Sequence, residues 1–566
     1  MDALLLRALA SEVNRETVGS RVARVDQPGR YDVLLSVRKP GGACRVLLSA
    51  DTQFARMYMT SASLDLPRQA PAFCMLLRKR LEGGKIEGVE QAGLDRICMV
   101  KILSRDDLGN PARWTLVLEA TGRSANILLL DPESRLVATV RRAARSVSGG
   151  EVSPGALYLP PASSSKTHPR DVTSETFLSA SGLPCEEVVL SVVAGFGRTL
   201  AREACHRAVA VERLAPAVRE IWKESESATS GLVFLDAGGN PVDAHVVHLS
   251  TLTAAVFESP SAALDHFYQR ATREAAFRTA RQSLAQKIKA LSVRTGRRLA
   301  SRLEELDEAR TGERHRKAGD LILTYLPQVA KSIGLHEGSI RLPDPETGED
   351  VALEVDLSLN APGNAQVQYR KYAKLKVRSR LLAPLMEKDR DDLAYLESVA
   401  DALDRAQDLD ALLEIDRELR DQAFLTREKG RAGAPAPAPK AHYARFVTSV
   451  GEEMLAGRNN RQNEQVTFRA ASRQDLWFHT KSAPGAHVIL RVQGSARPSD
   501  QSLIEAATIA ATLSKARSAT KVEVDFTAAQ NVRKRPGSRP GMVLYDKYQT
   551  IVVRPDSVLL AKLSRE

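Results

Sequence analysis

The stretch FRTARQSLAQKIKALSVRTGRRLASRLEEL, residues 277–306, sets Phe277, Leu284, Ile288, Leu291, Leu299, Leu303 and Leu306 at intervals of seven or eight, four and three. Arg, Lys and Glu fill the positions between them. One apolar edge on a polar helix needs a partner, because a helix this polar buries too little by itself. A second run supplies it, with Leu393, Leu396, Val399, Leu403, Leu412, Ile415 and Leu419. The simplest account is an antiparallel coiled coil over 262–429, with Pro384 marking a break before the second arm. An arm of about 50 residues would reach roughly 75 Å. Between the arms, DVALEVDLSLNAPGNAQVQYRKYAKLK alternates as strands around a Pro-Gly turn, which predicts a small β headpiece at the tip.

Other architecture lies on either side. Across 1–175, segments such as RVARVDQPGRYDVLLSVRKPGGACRVLLSA, RICMVKILSR, RWTLVLEAT and ANILLLD read as strands broken by Pro-Gly and Gly-Gly turns. MDALLLRALASEVNRE is an amphipathic helix, and APAFCMLLRKRLEGGKI is a short helix stopped by Gly83-Gly84. This is an α+β domain with an antiparallel sheet. In GLPCEEVVLSVVAGFGRTLAREACHRA, residues 182–208, Gly195-Phe196-Gly197 separates two short helices. That pattern fits a helix-hairpin-helix, assigned to 176–261, or a plain turn between helices. The functional reading gives Gly195, Gly197 and Arg198 a nucleic-acid backbone, because glycines allow close approach and amides at a helix start meet phosphate. A Pro/Ala linker, GRAGAPAPAPK at 430–440, precedes a final α+β module at 441–566. The fold class is therefore α+β and multidomain.

The whole chain has 566 residues and a formal net charge of +12, from 81 Lys+Arg against 69 Asp+Glu. The basic excess suits a polyanion such as RNA. Five scattered cysteines without a C-x-x-C spacing favour reduced cytosolic thiols over a disulfide framework or zinc knuckle. No apolar run reaches the roughly 18 residues of a membrane span, and no export signal opens the chain. A cytosolic protein that leaves membranes alone is expected.

Enzyme templates are missing: no phosphate loop, no H-E-x-x-H helix, no G-x-S-x-G elbow. DPETGED, residues 344–350, lacks full calcium-loop spacing. DLWFHTKSAPGAHVIL, residues 475–490, places His479 and His487 around a Pro-Gly turn, with Asp475 and Trp477 upstream. Two histidines and one carboxylate are too few for a metal, so a framework or RNA-facing role is expected. Lys515 shares this module with Arg533, Lys534, Arg535 and Arg539, the last four falling within seven residues that hold no carboxylate. Such a loop is expected to contact RNA phosphates. Upstream, QAGLDRI holds Asp95-Arg96, read either as a local salt bridge or as an arginine fork held for phosphate or base. Glu119, Arg123 and Asn126 surround Gly122 in a polar turn that is more often structural than functional.

These motifs converge on a family. FCMLLRKRLEGG, QAGLDRI, TGRSANILLLD, AGFGRTLARE, NAQVQYRKYAKLK, DLWFHTKSAPGAHVIL, AATLSKAR and RPGMV, in this order, resemble the NFACT family, whose bacterial branch is RqcH. The resemblance implies NFACT-N, helix-hairpin-helix, coiled-coil arm and NFACT-R parts. It implies a non-enzymatic ribosome-associated quality-control factor without cofactor or metal. Such a factor binds a large ribosomal subunit carrying peptidyl-tRNA and recruits alanyl-tRNA for template-free tailing, with a small RqcP-like translocation partner. Asp95 and Arg96 match the family's tRNA-engaging pair, and Glu119, Arg123 and Asn126 join them as candidate tRNA contacts. Asp2-Ala3, where Asp-Gly is usual, and Gly485-Ala486, where Gly-Ser is common, depart from the pattern. A tRNA- or ribosome-binding factor without tailing is the alternative. A formamidopyrimidine-DNA glycosylase lacks support, since the N-terminal proline and the cysteine zinc finger are missing. An adhesin would need export.

Overall fold

The computed structural model describes residues 1–39, 41–141, 153–160, 165–178, 183–426, 443–492, 498–534 and 536–565. The expected linker 430–440 and Arg535 lie outside them. The chain divides into two compact units, Met1–Ala275 and Ala276–Glu566.

The first unit opens with helix α1 (Ala3–Thr17), followed by strands β1 (Arg21–Asp26), β2 (Asp32–Lys39), β3 (Gly42–Ser49) and β4 (Arg56–Met59). Helix α2 (Ala72–Leu81) leads into β5 (Lys85–Gln91), β6 (Ile97–Arg105), β7 (Pro111–Glu119), β8 (Asn126–Leu130) and β9 (Leu136–Thr139). The strands form one antiparallel sheet in the order β4-β3-β2-β1-β5-β6-β7-β8-β9. Alternation decides the faces: in β2, Val33, Leu35 and Val37 enter one core while Leu34 enters another. Helix α1 also serves both, giving Leu6, Ala10 and Val13 to the first and Leu4, Leu5 and Leu9 to the second. Its buried Glu12 accepts the backbone N–H and hydroxyl of Ser261, at 2.9 and 2.8 Å. Gly83, at φ +80°, supplies the left-handed residue that turns the chain after α2.

The same unit continues through α3 (Ser174–Leu178), α4 (Cys185–Val192), α5 (Arg198–Ala208) and α6 (Leu214–Ser227). A small sheet of β10 (Gly231–Leu235), β11 (Pro241–His245) and β12 (Thr253–Phe257) follows, with β10 central. The helical pair α4–α5 confirms two short helices around the glycine pair. One expectation fails here: Cys185 and Cys205 form a disulfide between α4 and α5, with a Cα–Cα distance of 6.0 Å. Their separation of 20 residues has no motif, and only antiparallel packing of the two helices brings them within bonding range. Cys44, Cys74 and Cys98 are free.

Helix α7 (Pro260–Arg310) extends past the boundary of the first unit. The second unit then adds α8 (Gly312–Thr324), α9 (Leu326–Gly334), the hairpin β13 (Ser339–Pro343) with β14 (Asp350–Glu354), α10 (Ala361–Arg405) and α11 (Leu409–Asp421). Leu284 and Ile288 pack against Tyr395, Leu396, Val399 and Leu403, which sets α7 and α10 antiparallel. Farther along, the apolar seam gives way to charge. Leu303 is 43% exposed, while Asp389 is buried and receives Arg298 at 2.6 Å together with Arg302.

Three details of the arm depart from expectation. Pro384 lies inside α10, exposed, without ending it. Residues after Asn360 are helical: the Asn360 side chain accepts the Gly363 N–H at 2.8 Å, and Pro362 stands in the first turn. Asn-Ala-Pro-Gly is thus a helix start, where a strand turn was read. The run from Leu393 to Leu419 is two helices, divided where Asp408 caps α11 through Ala411 N–H at 2.8 Å.

The terminal module holds β15 (Ala444–Val447), β16 (Glu453–Ala456), α12 (Asn460–Gln465), β17 (Leu476–Thr480), β18 (Val488–Leu490), α13 (Asp500–Thr512), β19 (Val522–Ala528), β20 (Val532–Arg533), β21 (Leu544–Tyr545), β22 (Gln549–Val553), α14 (Ser557–Leu563) and β23 (Ser564–Arg565). Seven strands pair antiparallel in the order β22-β19-β17-β18-β16-β15-β23. Phe478, Val488 and Leu490 meet the small-residue face of α13, and Trp477 and Ile489 point to the opposite core. No described helix is long and apolar enough to cross a membrane.

The disulfide closes an interval that stabilises by about 3 kcal/mol in the chain-entropy account. Thiol alkylation of the denatured, unreduced protein should therefore label three cysteines and leave Cys185 and Cys205 unlabelled. Reduction, or C185S, should lower the thermal unfolding midpoint of the first unit.

Candidate nucleic-acid interface

Two places gather the residues singled out by the sequence, one in each unit. In the first unit, a cleft of about 1060 Å³ is lined by the loop Gly93–Arg96, the hairpin Gly195–Arg198, Asp2 and His245. The sequence brings these segments from four separate regions, so the structure joins what spacing kept apart.

The Asp95-Arg96 loop connects β5 to β6. Gln91 ties it down, its amide donating to Asp95 O at 2.7 Å and to Ala3 O at 2.8 Å. Arg96 is exposed and Asp95 half-buried. The salt bridge that adjacency suggests does not form, and neither side chain has an ion-pair partner among the described residues. Both groups face the cleft free to meet a ligand.

The opposite wall is the glycine hairpin. Gly195 sits at φ +79°, where a side chain would be strained and would approach Leu4 Cδ1 to 3.0 Å. Gly197 has an ordinary φ of −95°, but a Cβ there would come within 2.9 Å of Asp2 Cβ. Space alone demands this glycine. Helix α5 begins at exposed Arg198 with no side chain capping it, so its first amides remain directed past Gly197.

Asp2 is the pivot of this wall. It caps α1 by accepting Leu5 N–H at 3.0 Å, and its other oxygen meets His245 Nε2 at 3.1 Å. Burial works to raise the Asp2 carboxyl, but the His245 contact and the Leu5 amide outweigh it and hold the carboxyl below its usual range. No sequence pattern linked residues 2 and 245.

Glu119, Arg123 and Asn126 fall elsewhere. Glu119 is 1% exposed and accepts from Tyr158 Oη at 3.1 Å. Asn126 is buried, donating to Arg141 O and accepting the backbone N–H of Ile127 and Arg141. These two are framework, which corrects the expectation that they contact tRNA. Arg123 is exposed on a turn and does not line the cleft.

In the terminal module, the histidine motif at 475–490 proves largely internal. Asp475 is buried, accepting Ser472 N–H at 2.8 Å, Val492 N–H at 3.0 Å and Arg491 Nη1 at 3.1 Å. Trp477 is fully buried, stacked on His479 at 5.6 Å and edge-on to His487 at 5.1 Å. His487 Nδ1 and Thr467 Oγ1 are 2.8 Å apart. Burial lowers the His479 pKa to about 4 and, with His479 beside it, pushes His487 well below its ordinary value. Both rings are neutral packing groups, so the RNA-facing reading of Asp475, Trp477 and His487 is corrected.

The cations of the basic loop are not free of carboxylates in the fold. The carboxylates come from distant segments: Arg533 pairs with Asp546, Lys534 with Glu464 at 2.8 Å, and Arg539 with Asp392 at 2.7 Å. Lys515 pairs with Glu397. Arg539 also donates to Gln422 O at 2.9 Å and lies 4.6 Å over the Phe424 ring. Around it, Asn460 donates to buried Glu418 at 3.1 Å and to Ser398 at 2.9 Å, while Asn459 and Gln462 both donate to Glu414. Arg517 reaches Asp401 at 3.0 Å. The loop and α12 are therefore docked on α10 and α11.

Exposure separates the four cations. Arg533 and Lys515 keep 71% and 58% of their side chains exposed, so their pairs contribute at most about 1 kcal/mol and phosphate can displace the carboxylates. Arg539, at 23% against nearly buried Asp392, is held in place. Sequence reading also passed over Arg469 and Arg473, which are exposed and unpaired among the described residues and follow Phe468, itself 39% exposed. An aromatic followed closely by two arginines was a signal in the sequence, hidden by the adjacent helical pattern.

The match to known families now has its geometry. Residues 2–435 match the model of the NFACT N-terminal and middle domains, and residues 442–546 match the NFACT protein RNA binding domain. The chain belongs to the NFACT family. Within that family it is similar to the Rqc2 homolog RqcH of Bacillus subtilis, at 30% identity covering 100% of this chain and 99% of that protein. The Rqc2 homolog RqcH of Streptococcus suis is also 30% identical, over 98% of each. The archaeal Rqc2 homolog aRqcH of Methanocaldococcus jannaschii is 27% identical over 32% of this chain and 27% of that protein. The NFACT RNA-binding match ends at residue 546 and so includes the docked loop and its partner Asp546.

Three outcomes follow for this module. His479 has its folded pKa lowered to about 4, so between pH 6.5 and 4 the unfolded chain binds a proton that the fold refuses. Stability is complete above pH 6.5 and should fall as pH drops toward 4; thermal melts of wild type and H479Q should show a shallower pH slope in the variant. R539A should destabilise the second unit by about 2–4 kcal/mol, by leaving Asp392 only the longer contact to Arg298 at 3.8 Å, measured by denaturant melts. R533A should leave the melt unchanged within about 0.5 kcal/mol and weaken RNA binding.

Proposed function

We propose that this NFACT chain is a ribosome-associated quality-control factor, acting in the cytosol on large ribosomal subunits that carry peptidyl-tRNA. It recruits alanyl-tRNA so that the nascent chain is extended at its C-terminus without a template and thereby marked for degradation. The observation that carries this reading is the cleft in which Asp95-Arg96 faces Gly195, Gly197 and Arg198.

The chemistry suits a folded RNA. Arg96 offers a planar fork to a phosphate or base edge, and Asp95 beside it can accept from a base or ribose hydroxyl. The glycines let an RNA backbone approach closer than side chains would permit, and Arg198 adds a second cation. Names of relatives, Rqc2 homolog RqcH, support the quality-control setting. The alanine identity follows from resemblance to bacterial members. No group in the cleft is needed as a nucleophile or general base, since peptidyl transfer falls to the ribosome's own centre. The protein is in this reading a recruiter and not an enzyme.

Purified tagged protein should bring down one tRNA species on sequencing, and stalled chains should carry untemplated alanine. Replacing Asp95 and Arg96 by alanine should abolish the enrichment while leaving subunit co-sedimentation. R96K should fail as well, because lysine keeps the charge and loses the fork. Tail-free stalled chains beside normal tRNA enrichment would leave a tRNA- and ribosome-binding factor without tailing.

A further inference from the structure

Strand pairing in the first unit lines up cations that the sequence keeps apart. Arg21 in β1 stands directly opposite Arg38 in β2 and, on its other side, directly opposite Lys85 in β5. Beyond Lys85 the row continues through Leu103 in β6 to Arg113 in β7. Residues opposite one another across antiparallel strands share a face. Val22, Val37 and Ile86, each one position along its strand, enter the core, so Arg21, Arg38 and Lys85 point away from it. All four cations are exposed. Arg113 has Glu87 at 2.9 Å, but Arg21, Arg38 and Lys85 have no carboxylate partner among the described residues. Arg21 is oriented by Gly83, whose carbonyl oxygen accepts its Nη1–H at 2.8 Å. Like charges set directly opposite each other work against sheet formation. The row is also separate from the cleft. Lys85 opens β5, and the Asp95-Arg96 loop follows the other end of that strand, roughly 20 Å away at the rise of a strand.

We propose that the row Arg38, Arg21, Lys85 and Arg113 is a further RNA contact, a strip of positive charge that lies along the phosphate backbone of an RNA duplex. From β2 to β7 it crosses four inter-strand steps of about 4.8 Å, or roughly 19 Å. A line of that length meets several successive phosphates, and phosphate brings the negative charge that the opposed side chains lack. The row offers charge without an aromatic side chain for stacking, so it grips the backbone and leaves the bases unread. RNA is favoured over other polyanions because the same chain carries the NFACT RNA-binding match at 442–546. The contact goes beyond the tRNA site and does not rest on it. Arg113 joins once phosphate displaces Glu87, since its side chain is 75% exposed and the ion pair is open to solvent.

The test is binding of a fluorescein-labelled, mixed-sequence RNA duplex to the full chain across a potassium chloride series. R21Q/R38Q/K85Q should lose about tenfold in affinity at low salt, and its log–log salt slope should fall by about 2, because fewer counterions are released. Its thermal unfolding midpoint should stay at or above that of the wild type, since the opposed charges are gone. A lowered midpoint overturns the premise that these charges are uncompensated. R21K/R38K keeps three cations and should retain most of the affinity, as a strip of charge requires and a fork-dependent site would not. R270Q/R281Q/R316Q removes the same charge from arginines paired with Glu274, Asp404 and Glu313, and should bind the duplex nearly as wild type does. Equal losses in the two triple variants show binding by net charge alone and overturn the row. Wild-type duplex affinity in R21Q/R38Q/K85Q overturns it too; if that variant loses binding to phosphatidylserine vesicles instead, the row faces a membrane surface. D95A/R96A should keep its duplex affinity, so a failure of the cleft as the tRNA site leaves this result standing.

Discussion

The glycine hairpin can lie against Asp2 only because residue 197 has no Cβ. That close approach draws together the start of the first helix, the helix-hairpin-helix and the small sheet, and a cleft opens beside the contact. A carboxylate in such a place would be costly alone. Here it is offset by the α1 cap and by the contact to His245. Backbone proximity, burial and hydrogen bonding thus depend on one another at this contact.

A different balance governs the terminal module. Its cations look like an RNA surface when the local sequence is read, because seven residues hold four positive charges and no negative one. Folding brings carboxylates from α10 and the module itself to Arg533, Lys534 and Arg539. Arg539, against buried Asp392 and the Phe424 ring, has become part of an internal joint. Arg533 and Lys515 remain open enough for solvent screening to make their pairs weak. The same residue type therefore serves cohesion at one position and stays open to exchange at another, and burial of the partner decides which.

The histidine motif follows the same logic without charge. Trp477, His479 and His487 form an aromatic group inside the sheet, where desolvation keeps the rings neutral. Neutral rings can pack where imidazolium could not, so the module gains cohesion at ordinary pH and becomes sensitive to acid. The arm shows the converse arrangement, with Asp389 buried between Arg298 and Arg302 at the point where the apolar seam fades.

Local pattern was enough for much of the fold. Alternation in β2 and β6, the amphipathic first helix, the small-residue face of α13 and the heptad spacing near Leu284 each describe a side-chain period, and a period is a property of neighbouring residues. Gly195 and Gly197, with Asp95 and Arg96, were likewise legible, since their special chemistry belongs to residue type. Asn-Ala-Pro-Gly misled because the same four residues can turn a strand or start a helix, and the packing of Asn364 and Ala365 chooses between them. The disulfide, the Asp2–His245 pair and the carboxylates opposite the basic loop were decided by tertiary structure alone. Each joins residues from 13 to 243 positions apart, and no local period encodes which distant side chain will arrive. Sequence determined which residues could bind, cap or pair; the packing of distant segments determined which of them were already taken.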